Sequence, residues 1–483
     1  MAGMKARLLA RVAAVLAAAA AAALLAAAVG ACDNPVFLAV VRLTAAMQPP
    51  DSTYWVKTYG GASYDTGNKL LSTADGGFVL AGTTRSFGSG LGDIWLLKFG
   101  ADAGLVWQYA YGTLDDESFG DLCLAPDGGY VLVGNTSTAS EYLGWAMKVD
   151  SSGAVSWSKR FPGLLAGGDY SSFRGVEPLS GGGFLVTGAQ QFDDSGTIHN
   201  DMWLLKLDSS GNSVGQWRLD DGLFGSESGY DAIPTTDGGV AIAGSIIGGA
   251  VPASRIWVVK LSSSMAISWQ EYLANADSEN ATSIQQTADG GFAVFGRTRY
   301  PSATRYDDIW INKLTGAGSL SWSRAYGSVA QDNPGSLFAV SGGYVMSGRF
   351  QSASDGSGGD GIIVAVDEGG AVLWQKTCGG NLRDSLNLIP WGGGFLGSGV
   401  TGYVVATPPT TGDLWLLKLD PTAGPSYASA SLSLGQTGAA TSVDTTGSVP
   451  TATTGIIATT AIAAVDAPAT RVTTIAAVAQ LYP

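Results

Sequence analysis

Histidine and cysteine are scarce here: one His and three Cys stand among 483 residues, and only 14% of the chain is charged, where about a quarter is usual. The single histidine, His199, excludes a multi-histidine metal centre and any two-histidine chemistry. Cys32, Cys123 and Cys378 offer no CxxC spacing, so the sequence carries no zinc motif and no metal is expected. Basic residues are also few, 26 Lys and Arg against 40 Asp and Glu, for a formal charge of −14. Loss of Lys5, Arg7 and Arg11 with the N-terminal segment takes −14 to −17, which excludes a broad phosphate-binding surface and a nucleic-acid partner. What is plentiful is glycine, at 69 residues, with 14 Trp, 17 Tyr and 15 Phe. That mixture excludes a disordered or collagen-like chain and predicts many turns between aromatic strands.

Residues 1–31 combine Lys5, Arg7 and Arg11 with an apolar run from Val12 to Val29, which reads as an export signal. The string Val29-Gly30-Ala31-Cys32 resembles a bacterial lipobox, and this resemblance implies lipidation of Cys32 as the mature N-terminus. The alternative is an uncleaved anchor, since an apolar run of this length can just span a bilayer. Either way the bulk of the chain is expected outside the cytoplasm, anchored to a membrane and facing periplasm or cell exterior. Residues 32–53 are read as a tether. Cys123 and Cys378 fall in different repeats and are expected as unpaired buried thiols.

Tryptophans at 55, 107, 157, 217, 269, 322 and 374 recur at steps of 52, 50, 60, 52, 53 and 52 residues, and a period of that length is the signature of a repeat architecture. A second tryptophan sits inside six copies, at 95, 145, 203, 257, 310 and 415. Each copy also carries a Gly-Gly turn, as Asp75-Gly76-Gly77, Asp127-Gly128-Gly129, Asp237-Gly238-Gly239 and Asp289-Gly290-Gly291, with Ser180, Ser341 and Trp391 replacing the Asp elsewhere. Short Val, Ile, Leu, Phe and Trp runs bounded by such turns predict four strands and no helix per copy. In the first copy these are a (around Leu70–Thr73), b (Phe78–Gly82), c (Ile94–Phe99) and d (Leu105–Ala110). The expected fold is all-β: a seven-bladed β-propeller over residues 54–425, with four antiparallel strands per blade. Counting strands, the chain enters with a d-type strand, Trp55–Tyr59, and leaves after a c-type strand, Leu414–Leu419, so the first strand is expected to close the ring by pairing with the last. A rival is that Tyr427–Leu434 takes the outer place. The tail, 426–483, has 12 Thr and 14 Ala and reads as a weakly ordered extension in which Ile456-Ile457 and Val472–Val478 are apolar enough to dock as strands.

The strings Trp203-Leu204-Leu205-Lys206-Leu207-Asp208-Ser209-Ser210-Gly211 and Val149-Asp150-Ser151-Ser152-Gly153-Ala154-Val155-Ser156-Trp157 resemble the repeats of exported bacterial and archaeal propellers of the quinoprotein-like group. The resemblance covers roughly three-quarters of the chain. It implies the fold and not an activity, because propellers host enzymes, binders and scaffolds alike. A quinone-dependent dehydrogenase of that group would bind pyrroloquinoline quinone and calcium, in some members with adjacent cysteines. No adjacent cysteines occur here, and no cofactor is expected.

An acid precedes strand a in every copy (Asp65, Glu117, Asp169, Glu227, Glu279, Asp332, Asp384), and a Lys ends strand c in six (Lys98, Lys148, Lys206, Lys260, Lys313, Lys418). A feature present in every blade serves the blade, so these are read as structural pairs between sheets. The repeated tryptophans are read in the same way, as wedges between blades. The sequence shows no GxSxG elbow, and no residue is assigned a catalytic role. The b–c and d–a connections vary in length, and two carry distinctive side chains: Asp193, Asp194 and His199 in Ala189–Asn200, and Arg297, Arg299, Tyr300, Arg305 and Tyr306 in Arg297–Asp307. These are the candidate binding residues. The expected function is a non-catalytic cell-envelope lipoprotein that binds a protein or polysaccharide partner through this face. The alternative is an extracellular enzyme, glycosidase- or lyase-like or dehydrogenase-like.

Overall fold

The computed structural model describes residues 56–401 and 413–419, except 62, 90, 163–169, 195, 221–224, 249–250, 275–277, 300–306, 328–330, 352–358 and 379–383, together with short tail segments between 443 and 482. Its contacts divide the chain into residues 1–54 and 55–483, and every described residue belongs to the second unit. The export segment, Cys32, Trp55, Asp169 and Tyr427–Leu434 lie outside the described residues.

All elements among the described residues are strands, and the arrangement is that of a propeller with four-stranded blades. The first repeat forms Lys69–Ser72, Phe78–Thr84, Asp93–Phe99 and Leu105–Gly112, paired antiparallel in that order. Third in order, Asp93–Phe99 is buried along its whole length, while the outer strand is half-exposed, as expected for a sheet packed on both faces near its centre. Glycine in the a–b turn supplies the positive φ the turn requires, 80° at Gly76, 84° at Gly128 and 80° at Gly238. The described strands make six hydrogen-bonded sheets rather than one separate sheet per repeat. The reason is a single parallel bridge, Ser254 to Ser278, which fuses the four-stranded groups at 225–273 and 278–326; with Val443–Asp444 of the tail they form one nine-stranded sheet.

Closure follows the strand count. Val56–Tyr59 pairs antiparallel with Asp413–Leu419, placing Val56 opposite Leu417 and Thr58 opposite Trp415. Trp391 reinforces the join, donating from Nε1 to the Gly76 carbonyl at 3.1 Å and meeting Phe78 edge-on. One hydrophobic cluster contains Leu70, Phe78 and Trp95 from the first repeat beside Leu396, Leu414 and Leu416 from the last.

Trp95, Trp145, Trp203, Trp257, Trp310 and Trp415 are at most 2% exposed, each within a cluster shared by two neighbouring repeats. These are the wedges between repeats. The outer-strand series also packs between neighbouring repeats, as expected, but is only half-buried at Trp107, Trp157, Trp217, Trp269, Trp322 and Trp374, because its strand lies at the rim where solvent reaches one face of the indole. Trp107, Trp157, Trp269 and Trp322 each stand opposite the Lys that ends strand c. Trp217 does not: Gly215 occupies that place opposite Lys206, and Trp217 pairs with Leu204 two residues further on. The indole folds back over Gly215, where a Cβ would lie 2.7 Å from the ring. Trp374 keeps the register but faces Ala365, since the sixth repeat has no lysine there. Its ring leans on Phe395 of the last repeat, with centroids 6.4 Å apart, and covers the margin of the cluster between those two repeats without entering it.

Four of the repeated lysines pair within their own repeats and not between sheets. Lys98, Lys148, Lys260 and Lys313 bind Asp75, Asp127, Asp237 and Asp289, the turn aspartates of their own repeats. Where Trp391 replaces the Asp, Lys418 lies over its indole at 5.6 Å. The repeated acids are buried separately: Asp65 accepts from Thr84 Oγ1 and Ser86 Oγ, and Glu117 from Thr113 and Thr136. In the third repeat the register opposite Gln190 belongs to Ser171, not to Asp169.

The tail contributes five short strands, each added antiparallel to an outer strand. Val443–Asp444 joins Leu320–Tyr326, Ile456–Ala458 joins Ser213–Asp220, and Val465–Asp466 joins Val155–Phe161. Arg471–Thr474 then joins Leu105–Gly112, and Ala479–Tyr482 joins Val56–Tyr59. The described tail strands therefore meet these five outer strands in the reverse of their sequence order.

Candidate functional site

Strand a of each repeat is the innermost, and in several repeats it is bulged at the same point. The bulged residue is Gly120 in the second, Arg174 in the third, Tyr230 in the fourth and Thr282 in the fifth. A bulge re-aims a side chain out of the ladder, and these four residues line one cavity of about 410 Å³. That volume lies within the ~300–1,000 Å³ of small-molecule sites. The four bulged residues lie mid-strand, while Asn135 and Arg297 late in strand b and Asn333 at the start of strand a place the rest of the lining on the side of the b–c and d–a connections.

Arg174 is exposed and its guanidinium lies 4.7 Å from the centroid of Tyr230. Phe119 and Arg297 are half-buried. Arg297 Nη1 binds Asp307 at 3.2 Å, and with the Asn280 amide turned to satisfy both groups its oxygen accepts from Arg297 at 3.1 Å and 3.3 Å. Asn135 accepts the Phe173 backbone N–H at 2.9 Å. None of the described lining side chains is a carboxylate.

Charge gathers immediately after the bulges. Lys69 binds Asp121 at 2.8 Å, and Asp231 and Glu177 act on the same ammonium. Burial, then Asp231 and Asp121, push Glu177 up to about 8. Burial likewise lifts Asp231 to about 6 against the pull of Lys69. Two of these groups also join neighbouring inner strands: Asp121 accepts the Val176 N–H at 3.1 Å, and Asp231 the Ile284 N–H at 2.9 Å. Cys123 is a free, buried thiol whose pKa burial pushes well up, which leaves it neutral and unreactive.

Of the loop residues expected to bind, Arg297 alone lines the cavity among those described. Arg299 is tied to Asp307 at 2.6 Å. Tyr300, Arg305 and Tyr306 lie outside the described residues, as does the Asp194 side chain. Ala189–Asn200 is not a loop but a hairpin continuing Phe184–Asp194 into Thr197–Leu207, with Phe192 opposite His199. Asp193 caps its turn by accepting the Gly196 N–H.

His199 and Asp201 are buried in the second strand of that hairpin, beside the half-buried Asp220 at the end of Ser213–Asp220, and the ligand atoms of the three lie within 4.8 Å of one another. Arg218 fills the space a cation would need: its guanidinium binds Asp201, His199 Nε2 at 3.0 Å and Asp220 at 3.1 Å. Burial raises Asp201 to about 6 in spite of that partner. The arrangement is an ion-paired brace, completed by Arg218 over the Phe192 ring at 4.4 Å.

Arg174, Tyr230 and Thr282 were not legible as site residues. The signal that marks them is positional: Tyr230 and Thr282 are the third residue after the repeated acids Glu227 and Glu279, and Arg174 the third after Ser171.

No protein-family model and no curated protein sequence matches the chain. Solved structures do resemble it. A protein of unknown function from Dyadobacter fermentans is 11% identical over 76% of this chain and 98% of its own, with a TM-score of 0.41. The polysaccharide lyase Uly1 is 9% identical over 75% and 90%, with a TM-score of 0.43. Sqt1 of Chaetomium thermophilum is 13% identical over 77% and 97%, with a TM-score of 0.41. Likeness at this level concerns architecture alone.

Proposed function

We propose that this chain is an exported lipoprotein, anchored through Cys32, whose propeller counts seven four-stranded units and works as a non-catalytic binding scaffold at the cell envelope. Its ligand or partner is taken on the side of the b–c and d–a connections, in the cavity where the inner-strand bulges converge. The observation that carries this reading is the cavity wall itself, which offers guanidinium, aromatic and amide groups with no carboxylate, thiol or imidazole among the described lining side chains. Such a wall binds and orients but lacks an acid–base pair. Asp193 and His199 then act as structure in the third repeat, and Arg297 as part of the wall. The test is to probe glycan and peptide arrays with the purified protein and with Thr282→Trp, whose indole fills the cavity. Loss of the bound targets in the variant supports the reading. Retention of all of them refutes it.

A second reading, an enzyme acting on polysaccharide, is favoured by Glu177, whose carboxyl at about 8 stays protonated at neutral pH beside Asp231 and Asp121, the state an acid catalyst needs. Glu177 does not line the cavity. Polymer cleavage by the protein that disappears in Glu177→Gln would establish this second reading in place of the first.

A further inference from the structure

Resting on the binding reading above, we infer that the cavity takes a carboxylate-bearing sugar, a hexuronate unit of an acidic oligosaccharide. Arg174 is the recognition group. It is exposed and held against Tyr230, and no ion pair among the described residues involves it. The stacked guanidinium keeps its forked edge available for a carboxylate, the geometry that suits a bidentate pair. Arg297 is already committed to Asp307 and Asn280, so it shapes the wall.

The sugar follows from the groups around Arg174. Asn135 and Asn280 use their oxygens inside the protein, on the Phe173 N–H and on Arg297, which leaves each NH₂ as a donor. Hydroxyl oxygens on successive ring carbons match such donors. The half-buried Phe119 ring offers an apolar face for the C–H side of a pyranose. A peptide carboxylate or an inorganic anion engages the guanidinium and leaves these other groups unmatched.

Depth is set by charge. Asp121 and Asp231 directly follow the lining residues Gly120 and Tyr230, and Lys69 is the cation the structure places among Asp121, Asp231 and Glu177. Excess negative charge there repels an anion that enters further. The carboxylate stays at Arg174 while the neutral ring rests on Phe119.

The experiment is calorimetric titration of the purified protein with trigalacturonate, maltotriose and triglutamate. Trigalacturonate is expected to bind, with about tenfold weaker affinity in Arg174→Ala and partial recovery in Arg174→Lys, the size of one lost charge-assisted contact. Maltotriose and triglutamate are expected to bind at least tenfold more weakly than trigalacturonate. Equal binding of either control, or trigalacturonate binding unchanged in Arg174→Ala, overturns the uronate inference. If no probe binds but array targets are lost in Thr282→Trp, the uronate inference alone falls. If Thr282→Trp also keeps its targets, the binding reading falls with it.

Discussion

Trp157 of the second repeat lies on Gly211 of the third. A Cβ at Gly211 would sit 2.8 Å from the indole, and Trp157 Nε1 donates to the Ser209 carbonyl at 3.0 Å. The same contact joins Trp269 to Gly318 and Trp322 to Gly370. Gly211 and Gly318 also need their positive φ, 76° and 87°, so the turn glycine serves both backbone and neighbour. After the third repeat, where Trp217 is displaced, the corresponding turn carries Met265 at φ 63° instead, and Met265 packs in the cluster against which Trp217 also packs.

This coupling gives the first prediction. Gly211→Ala should destabilise by about 1–2 kcal/mol through φ alone, with more from the clash. Trp157→Ala should cost about 3 kcal/mol, toward the lower end for a large aromatic because the ring is half-buried. In calorimetric melting the double variant should cost less than the sum, because both changes remove one contact. Strict additivity would refute the coupling.

Stability should fall as pH rises. Glu177 and Asp231 have native values raised to about 8 and about 6, from 4.5 and 3.8. The fold favours their protonated forms, so the contribution is full below the unfolded values and is lost as pH climbs through the native ones. Between about pH 4 and pH 8 the loss should be on the order of a few kcal/mol. Glu177→Gln should flatten most of this decline, raising the melting temperature at pH 8 while leaving it nearly unchanged at pH 4. An equal effect at both pH values would show that Glu177 does not titrate as described.

At the acid end the sign reverses. Hydrogen bonds from Thr73 and Lys98 hold Asp75 well below the usual carboxylate range, and Thr235 with Lys260 does the same for Asp237. Such groups stabilise above the unfolded value of 3.8 and lose that contribution as pH falls through the native value. Both aspartates are mostly exposed, so each effect is small. The pair of substitutions Asp75→Asn and Asp237→Asn should make melting less sensitive to pH between about 4 and 2. An unchanged slope refutes the assignment.

Substituting Cys32→Ala should release the protein from the membrane fraction. A variant that still pellets after a high-salt wash would favour an uncleaved anchor over a lipid.

The strand order and the closing strand were readable because tryptophan and paired glycine mark equivalent positions in each repeat. Local register was not. The 60-residue step before Trp217 conceals a two-residue displacement, since an indole can reach back over Gly215 and fill the expected place from a different backbone position. Asp169 keeps the period from Glu117, yet Ser171 takes the pairing with Gln190. Depth was hidden too, because equal spacing of Trp374 and its counterparts marks a strand position and not how far the ring is enclosed. The cavity was missed for a related reason. Bulges shift the side-chain direction without changing the hydrophobic pattern, so Arg174 and Tyr230 read as ordinary strand positions. Copy-to-copy substitution carries a trace of the lysine partners, since four repeats have both the Asp and the Lys and the sixth, with Ser341 and Ala365, has neither, although the third keeps Lys206 beside Ser180.

The flanking of Val56–Tyr59 by Asp413–Leu419 on one side and Ala479–Tyr482 on the other has a mechanical consequence. Tension applied to the chain ahead of Val56 runs along the strand axis, and so loads two rows of hydrogen bonds in shear together. A strand at a free edge would peel one bond at a time. That strand is thus among the hardest in the sheet to extract, and force applied ahead of it reaches the ring by way of its own closing seam.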